Sequence, residues 1–245
     1  MRRSTMRSIL GTGLLWAAAV TAVGTAGCAQ RPPEYGTEWG LTLPSGRREI
    51  WAVAPAINLS GQREVDPILQ ADLVYGQVQQ VRGLTVVPVN RVVEVYAALR
   101  IDQVQSAEQA ALVCDLLGCD GLLVPTVTAY DPYNPPKLGA SLHLFRKPGS
   151  YARPANVDPR DLARRASPPP QQSVPNREAD SAQAVGMYDA ANGSVREALL
   201  AYARGRHDPL GPMGQGEYLA SMDRFSGFVY HDLADELLRA VRNRR

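Results

Sequence analysis

Residues Glu49 to Leu59 (EIWAVAPAINL) constrain this chain more than any other stretch. From Ile50 to Ile57 apolar residues follow one another without the polar alternation of a half-wet strand. A strand of this kind needs cover on both faces, as in an α/β fold whose helices flank the sheet. Pro55 has no amide hydrogen to give to a ladder, so the strand is expected to bend or end near it.

The following segments alternate in a way that suits such a fold. Asn58 to Gly61 is a turn cluster. Asp66 as a cap and Pro67 at the first position start a helix, with Leu69, Leu73, Val74, Val78 and Val81 as its inner stripe and Gly83 as its stop. Leu84 to Val89 is a second strand. Asn90 is expected to cap a helix that buries Val93, Tyr96, Ala97 and Ile101. Ser106 and Gln109 form a capping box for a third helix, with Leu112, Val113 and Leu116 inward and Gly118 closing it. Asp120 to Tyr130 is the third strand. Lys137 to Phe145 is the fourth, with Leu138, Ala140, Leu142 and Leu144 on one face.

Further on, Ala182 to Asp189 is expected to resume the sheet at an edge. Ser194 to Ala203 leaves two readings open. Asn192-Gly193 is a hairpin turn signal, whereas Ser194 with Glu197 is a capping box before alanines and leucines, and local propensity favours helix. Tyr218, Met222, Phe225, Val229, Leu233, Leu237 and Val241 form one stripe of a helix over 217–242. The expected architecture is α/β: a mixed sheet of about four to five strands packed with helices, and a long C-terminal helix.

The amino-terminal stretch has a different character. Arg2, Arg3 and Arg7 precede an apolar run from Ser8 to Gly24, and Thr25-Ala26-Gly27 leads to Cys28. This is the layout of a secretory signal peptide over 1–27. Residues 28–48 are rich in proline and glycine and read as a tether, with a reach of roughly 25 Å for twenty flexible residues. Residues 49–245 read as one α/β domain. Within it, 146–181 carries Pro148, Pro154, Pro159, Pro168, Pro169, Pro170 and Pro175 among few large apolar residues, and reads as a disordered insertion.

Two resemblances bear on function. The small residues before Cys28 resemble the lipobox of bacterial lipoproteins, although Thr25 stands where leucine is commonest. That resemblance implies cleavage before Cys28 and attachment of diacylglyceryl and N-acyl chains to it. Ala29, rather than aspartate, implies the outer membrane. Plain secretion with cleavage near Ala29 is the alternative. Ile50 to Ser60 (IWAVAPAINLS) and Leu117 to Leu123 (LGCDGLL) resemble motifs of a group of envelope domains. That group includes the amino-terminal domain of TolB, the curli lipoprotein CsgG and the penicillin-binding-protein activator LpoB. It implies an α/β sandwich, lipid-anchored or periplasmic, that binds other envelope proteins. A pore like that of the curli protein is not implied, because a proline-rich stretch stands where its long alternating hairpins would be.

Little in the chain points to chemistry. His143, His207 and His231 are scattered, and no nucleophile elbow, zinc-protease motif or phosphate loop is present. His231-Asp232 reads as a polar pair on a helix surface, and Arg206-His207-Asp208 as a loop cluster. Tyr130, Asp131 and Tyr133 flank a strand end, where α/β sheets often bind ligands. Cys114 and Cys119 read as core thiols, with a disulfide as the alternative in an oxidising envelope. Without the signal arginines, the 26 basic residues fall one short of the 24 acidic ones, which gives no electrostatic reason to expect nucleic acid. Arg239, Arg242, Arg244 and Arg245 suit the negative end of a helix dipole.

The expected function is therefore a lipid-anchored, non-enzymatic adaptor or assembly factor of the envelope, with Cys28 as the lipidation site. Catalytic residues, cofactor and metal are expected to be none. Its partners are expected to be the membrane, through the lipid, and other envelope proteins or a second copy, but no nucleic acid. The alternative is a small-molecule or glycan-binding domain with a pocket near Pro125 to Tyr133.

Overall fold

The computed structural model describes residues 40–147, 181–208 and 210–243. Cys28, the signal stretch, most of the proline-rich segment, Arg244 and Arg245 lie outside them. The first strand is indeed split by its proline. β1 (Glu49–Val53) and β2 (Ile57–Asn58) lie end to end along β4 (Gly121–Asp131), both parallel to it. The Ala54 and Leu59 amides extend this ladder by donating to the Leu123 and Val127 carbonyls. β3 (Leu84–Val87) runs parallel to β1, and β5 (Lys137–Arg146) and β6 (Ser181–Asp189) add antiparallel on the other side. The sheet is mixed and six-stranded, ordered β3-β1-β4-β5-β6, with β6 at one edge.

Helices sort onto the two faces by side-chain alternation. α1 (Pro67–Val78), α4 (Gly193–Ala203) and α6 (Met222–Asn243) cover Trp51, Val53, Leu123 and the row Leu138, Ala140, Leu142 and Leu144. α2 (Val89–Leu99) and α3 (Ala107–Leu117) cover Ala52, Ala54, Leu122 and Val124 on the other face. The second cover ends near Phe145 of β5. Beyond it, Val185 and Met187 of β6 remain 59% and 61% exposed.

Several local expectations change. Leu69, Val93, Leu112 and Leu116 are exposed, as is Ala97, while Gln70, Val92, Ala110 and Cys114 are inside. Adjacent apolar pairs such as Val92-Val93 and Leu112-Val113 leave the helix phase ambiguous by one residue, and the packing partner settles it. Pro88, not Asn90, precedes α2, with no side-chain cap. Asp66 caps α1 as expected, its Oδ1 accepting from the amides of Ile68 at 2.8 Å and Leu69 at 3.2 Å. The open segment after Asn192 is helix, and Asn192 rather than Ser194 is its cap. The C-terminal helix is broken at Ser221, in extended conformation, into α5 (Glu217–Ala220) and α6. Its stripe faces the core as read, with Met222 half-buried.

Two segment boundaries also move. The tether reading includes residues that belong to the domain: Leu43 is buried, and Leu41 to Leu43 exchanges backbone hydrogen bonds with Arg82. Arg146 and Ser181, assigned by sequence to the insertion, lie in paired strands, with Ser181 opposite Phe145. Arg146 is buried and ion-paired to Glu49, which also accepts from Trp51 Nε1 at 2.9 Å. This ties the far end of β5 to the start of β1.

Candidate functional site

A cleft of about 350 Å³ opens between α4, α6 and the Gly40–Leu41 segment. Phe228, His231, Asp232, Asp235 and Arg239 recur at three- and four-residue spacing, so they share one face of α6. Ala198, Ala201 and Tyr202 do the same on α4, and the two alanines keep that wall low. The pocket is thus built by helix periodicity from two segments that are distant in sequence.

Tyr202 organises the floor. It is buried, and its hydroxyl donates to Gln77 Oε1 of α1 at 3.1 Å. Its ring lies 5.6 Å from Phe228, 5.0 Å from His231 and 5.9 Å from Tyr218, centroid to centroid. The Arg206 guanidinium sits 4.2 Å from the same ring and also donates to the Tyr202 carbonyl at 3.0 Å. Burial pushes the Tyr202 hydroxyl up to about 12.

His231 is 9% exposed, contrary to the surface reading. Burial, and then the nearby Arg206, push its imidazole down to about 4, so it is neutral at pH 7 and offers one donor and one acceptor nitrogen. Among the described residues no hydrogen bond engages it. Asp232 beside it accepts from the Tyr188 hydroxyl at 2.7 Å, and Asp235 is ion-paired with Arg239. The walls therefore combine aromatic faces, an uncharged imidazole and two carboxylates against one guanidinium. The sequence signal for this site was the 228/231/232/235/239 spacing. It was hidden beside the stronger apolar stripe of the same helix.

The other residues singled out by sequence do not converge. Tyr133 is 80% exposed, and Asp131 Oδ1 accepts from the Tyr133 amide at 3.1 Å, closing a turn. The cleft is thus not at the Pro125–Tyr133 strand end. His143 packs its ring 4.0 Å from Phe145. His207 Nδ1 lies 3.0 Å from the Ala203 carbonyl oxygen, and Asp208 Oδ1 accepts from the Leu210 amide at 2.9 Å. Cys114 and Cys119 are free, buried thiols, and the hydrogen bond to Cys119, with burial, pushes Cys114 up. Among the described residues no three His, Cys, Asp or Glu side chains are grouped to hold a metal. Nor is any of their helices long and apolar enough to cross a membrane.

No family model matches the chain, and no curated protein does. Solved structures do. The LpoB C-terminal domain from Salmonella enterica is 11% identical over 41% of this chain and 73% of that one, with a TM-score of 0.33. Lipoprotein GNA1162 from Neisseria meningitidis is 16% identical over 66% and 99%, with a TM-score of 0.36. Protein CT253 from Chlamydia trachomatis is 11% identical over 79% and 98%, with a TM-score of 0.37. LpoB belongs to the group that the Ile50–Ser60 motif resembles.

Proposed function

We propose that this chain is a lipid-anchored protein of the bacterial envelope that works by binding another envelope protein rather than by catalysis. Acylated Cys28 holds it at the outer membrane, facing the periplasm. Several acyl chains give a durable anchor, since each buried CH₂ contributes about 0.8 kcal/mol and one chain alone holds only marginally.

The observation that supports binding is the open side of β6. Among the described residues no strand pairs with its outer edge. From Ala182 to Tyr188 it carries no charge and no proline, the usual guards of an exposed edge. Val185 and Met187 stand exposed on the face that α2 and α3 leave bare. An extended segment of a partner, adding as a further strand, would satisfy the edge amides and carbonyls and cover those two side chains.

Photo-crosslinking in intact cells tests this, with a benzophenone amino acid at position 187 and, as control, at the exposed α1 position Leu69. We expect one defined envelope protein to be captured from 187 alone, and the capture to be lost when Val185→Lys is added. Recovery of the uncrosslinked chain alone would sink the adaptor reading.

A further inference from the structure

We propose that Cys114 and Cys119 close to a disulfide as the chain enters the oxidising envelope, stapling the end of α3 to the entry of β4. The oxidising setting rests on the envelope reading above; the competence of the pair rests on the geometry of the α3–β4 joint.

The joint brings the two residues together. α3 ends at Gly118, whose φ of 69° is left-handed, and the Cys119 amide donates back to the Cys114 carbonyl at 3.0 Å. This six-to-one bond is the Schellman ending of a helix, in which the side chains at the two ends of the bond meet. Here both side chains are thiols, and they are hydrogen-bonded to each other. Ordinary bond lengths on either side of the 3.0 Å contact keep the two Cα atoms within about 7 Å, the reach of a disulfide. The strand side of the joint is fixed independently. The Asp120 amide donates to the Ile50 carbonyl at 2.7 Å, and the Ile50 amide to Asp120 Oδ2 at 2.9 Å.

The surroundings leave the pair no other chemistry. Both thiols are buried among Ala54, Val113, Leu122 and Val124, and among the described residues no third ligand joins them to hold a metal. The chain has one further cysteine, Cys28, whose sulfur the lipid takes in the envelope reading. Only four residues separate Cys114 from Cys119, so the two meet readily on the emerging chain, before the core closes over them.

The oxidant is a protein or small-molecule disulfide of the envelope. One cysteine thiolate attacks it, forming a mixed disulfide and releasing one oxidant sulfur as a thiolate. The second cysteine sulfur then attacks the first, releasing the other oxidant sulfur. Two electrons and two protons pass to the oxidant, which leaves as thiols. Folding then seals the bond, since the two residues are only 1% and 2% exposed.

The full chain is isolated from the envelope fraction, with N-ethylmaleimide present during lysis in denaturant, and digested with trypsin for mass spectrometry. Both cysteines fall in the single peptide from Ile101 to Lys137. We expect this peptide unlabelled and lighter by two hydrogen atoms than its dithiol form, and carrying two labels once reduced. Reductant alone should leave the bond intact in the folded chain, and reductant with denaturant should open it. The chain refolded without the bond should melt roughly 4–8 °C lower. Cys114→Ala should melt at one temperature with or without prior reduction. Two labels on the peptide from the envelope fraction without reduction would overturn the inference, as would equal melting of the open and closed chains. The fraction that holds the chain tests the envelope reading separately. Should that fraction be cytoplasmic, refolding the reduced chain with glutathione disulfide decides the matter: closure between Cys114 and Cys119 supports the pair, whereas free thiols or glutathione adducts overturn it.

Discussion

The hydroxyl of Tyr188 donates to the carboxylate of Asp232 at 2.7 Å, fastening the edge strand β6 to α6. The Tyr188 ring also meets Phe228 edge-on at 5.9 Å and lies back over Gly186, where a Cβ would strike it. Burial, then this bond, push the hydroxyl up, so it stays a donor at any physiological pH. Tyr188→Phe is expected to cost about 1 kcal/mol in urea unfolding. Gly186→Ala should cost at least as much by displacing the ring. The two together should cost less than their sum, because both remove the same contact. Full additivity would show that Gly186 acts some other way.

The buried pair of Glu49 and Arg146 predicts a larger effect. Arg146→Ala takes the guanidinium away from the buried Glu49 carboxylate, and removal of one partner of a buried pair costs about 3–5 kcal/mol. Replacing both residues by apolar ones of similar volume should restore much of the loss. Chemical denaturation of the two single variants and the double variant measures this.

His231 predicts a pH dependence. Unfolded, the imidazole titrates near 6.5; folded, near 4. Between these values the unfolded chain binds a proton that the folded chain refuses, so stability falls as pH falls, by about 3 kcal/mol in all, and is unaffected above pH 7. His231→Asn should flatten that part of the stability profile. An unchanged profile in a folded variant would place the acid sensitivity elsewhere.

Cys28 predicts a change of fraction. Cys28→Ala should move the protein from the membrane pellet to the soluble envelope fraction and abolish labelling by a fatty-acid probe. Retention in the pellet without label would argue against the lipid as the anchor.

The architecture was legible where one residue type had one meaning. Pro55 announced the break between β1 and β2, Asp66-Pro67 the start of α1, and the 225/229/233/237/241 stripe the buried face of α6. The inner faces of α1 to α3 were less legible because apolar residues occur nearly all round them. In α1, Gln70 takes a buried position that Leu69 would have filled, since its Oε1 accepts from the Tyr230 hydroxyl at 2.6 Å. That partner lies on a distant helix, and no local pattern announces it. The cleft was illegible for the same reason: Leu41, Tyr202 and His231 meet only once the sheet has brought their segments together.

The pairing of Phe145 with Ser181 has a consequence for how this chain can be altered. The sheet itself holds these two residues side by side, whatever length of chain joins them. Even for a connection with no structure of its own, each doubling of length adds only about 0.6 kcal/mol to closure. Insertions and deletions can therefore accumulate at this joint while the β5–β6 register stays fixed. It is the natural place to graft a tag, a second domain or a protease site without disturbing the β6 edge or the α4–α6 cleft.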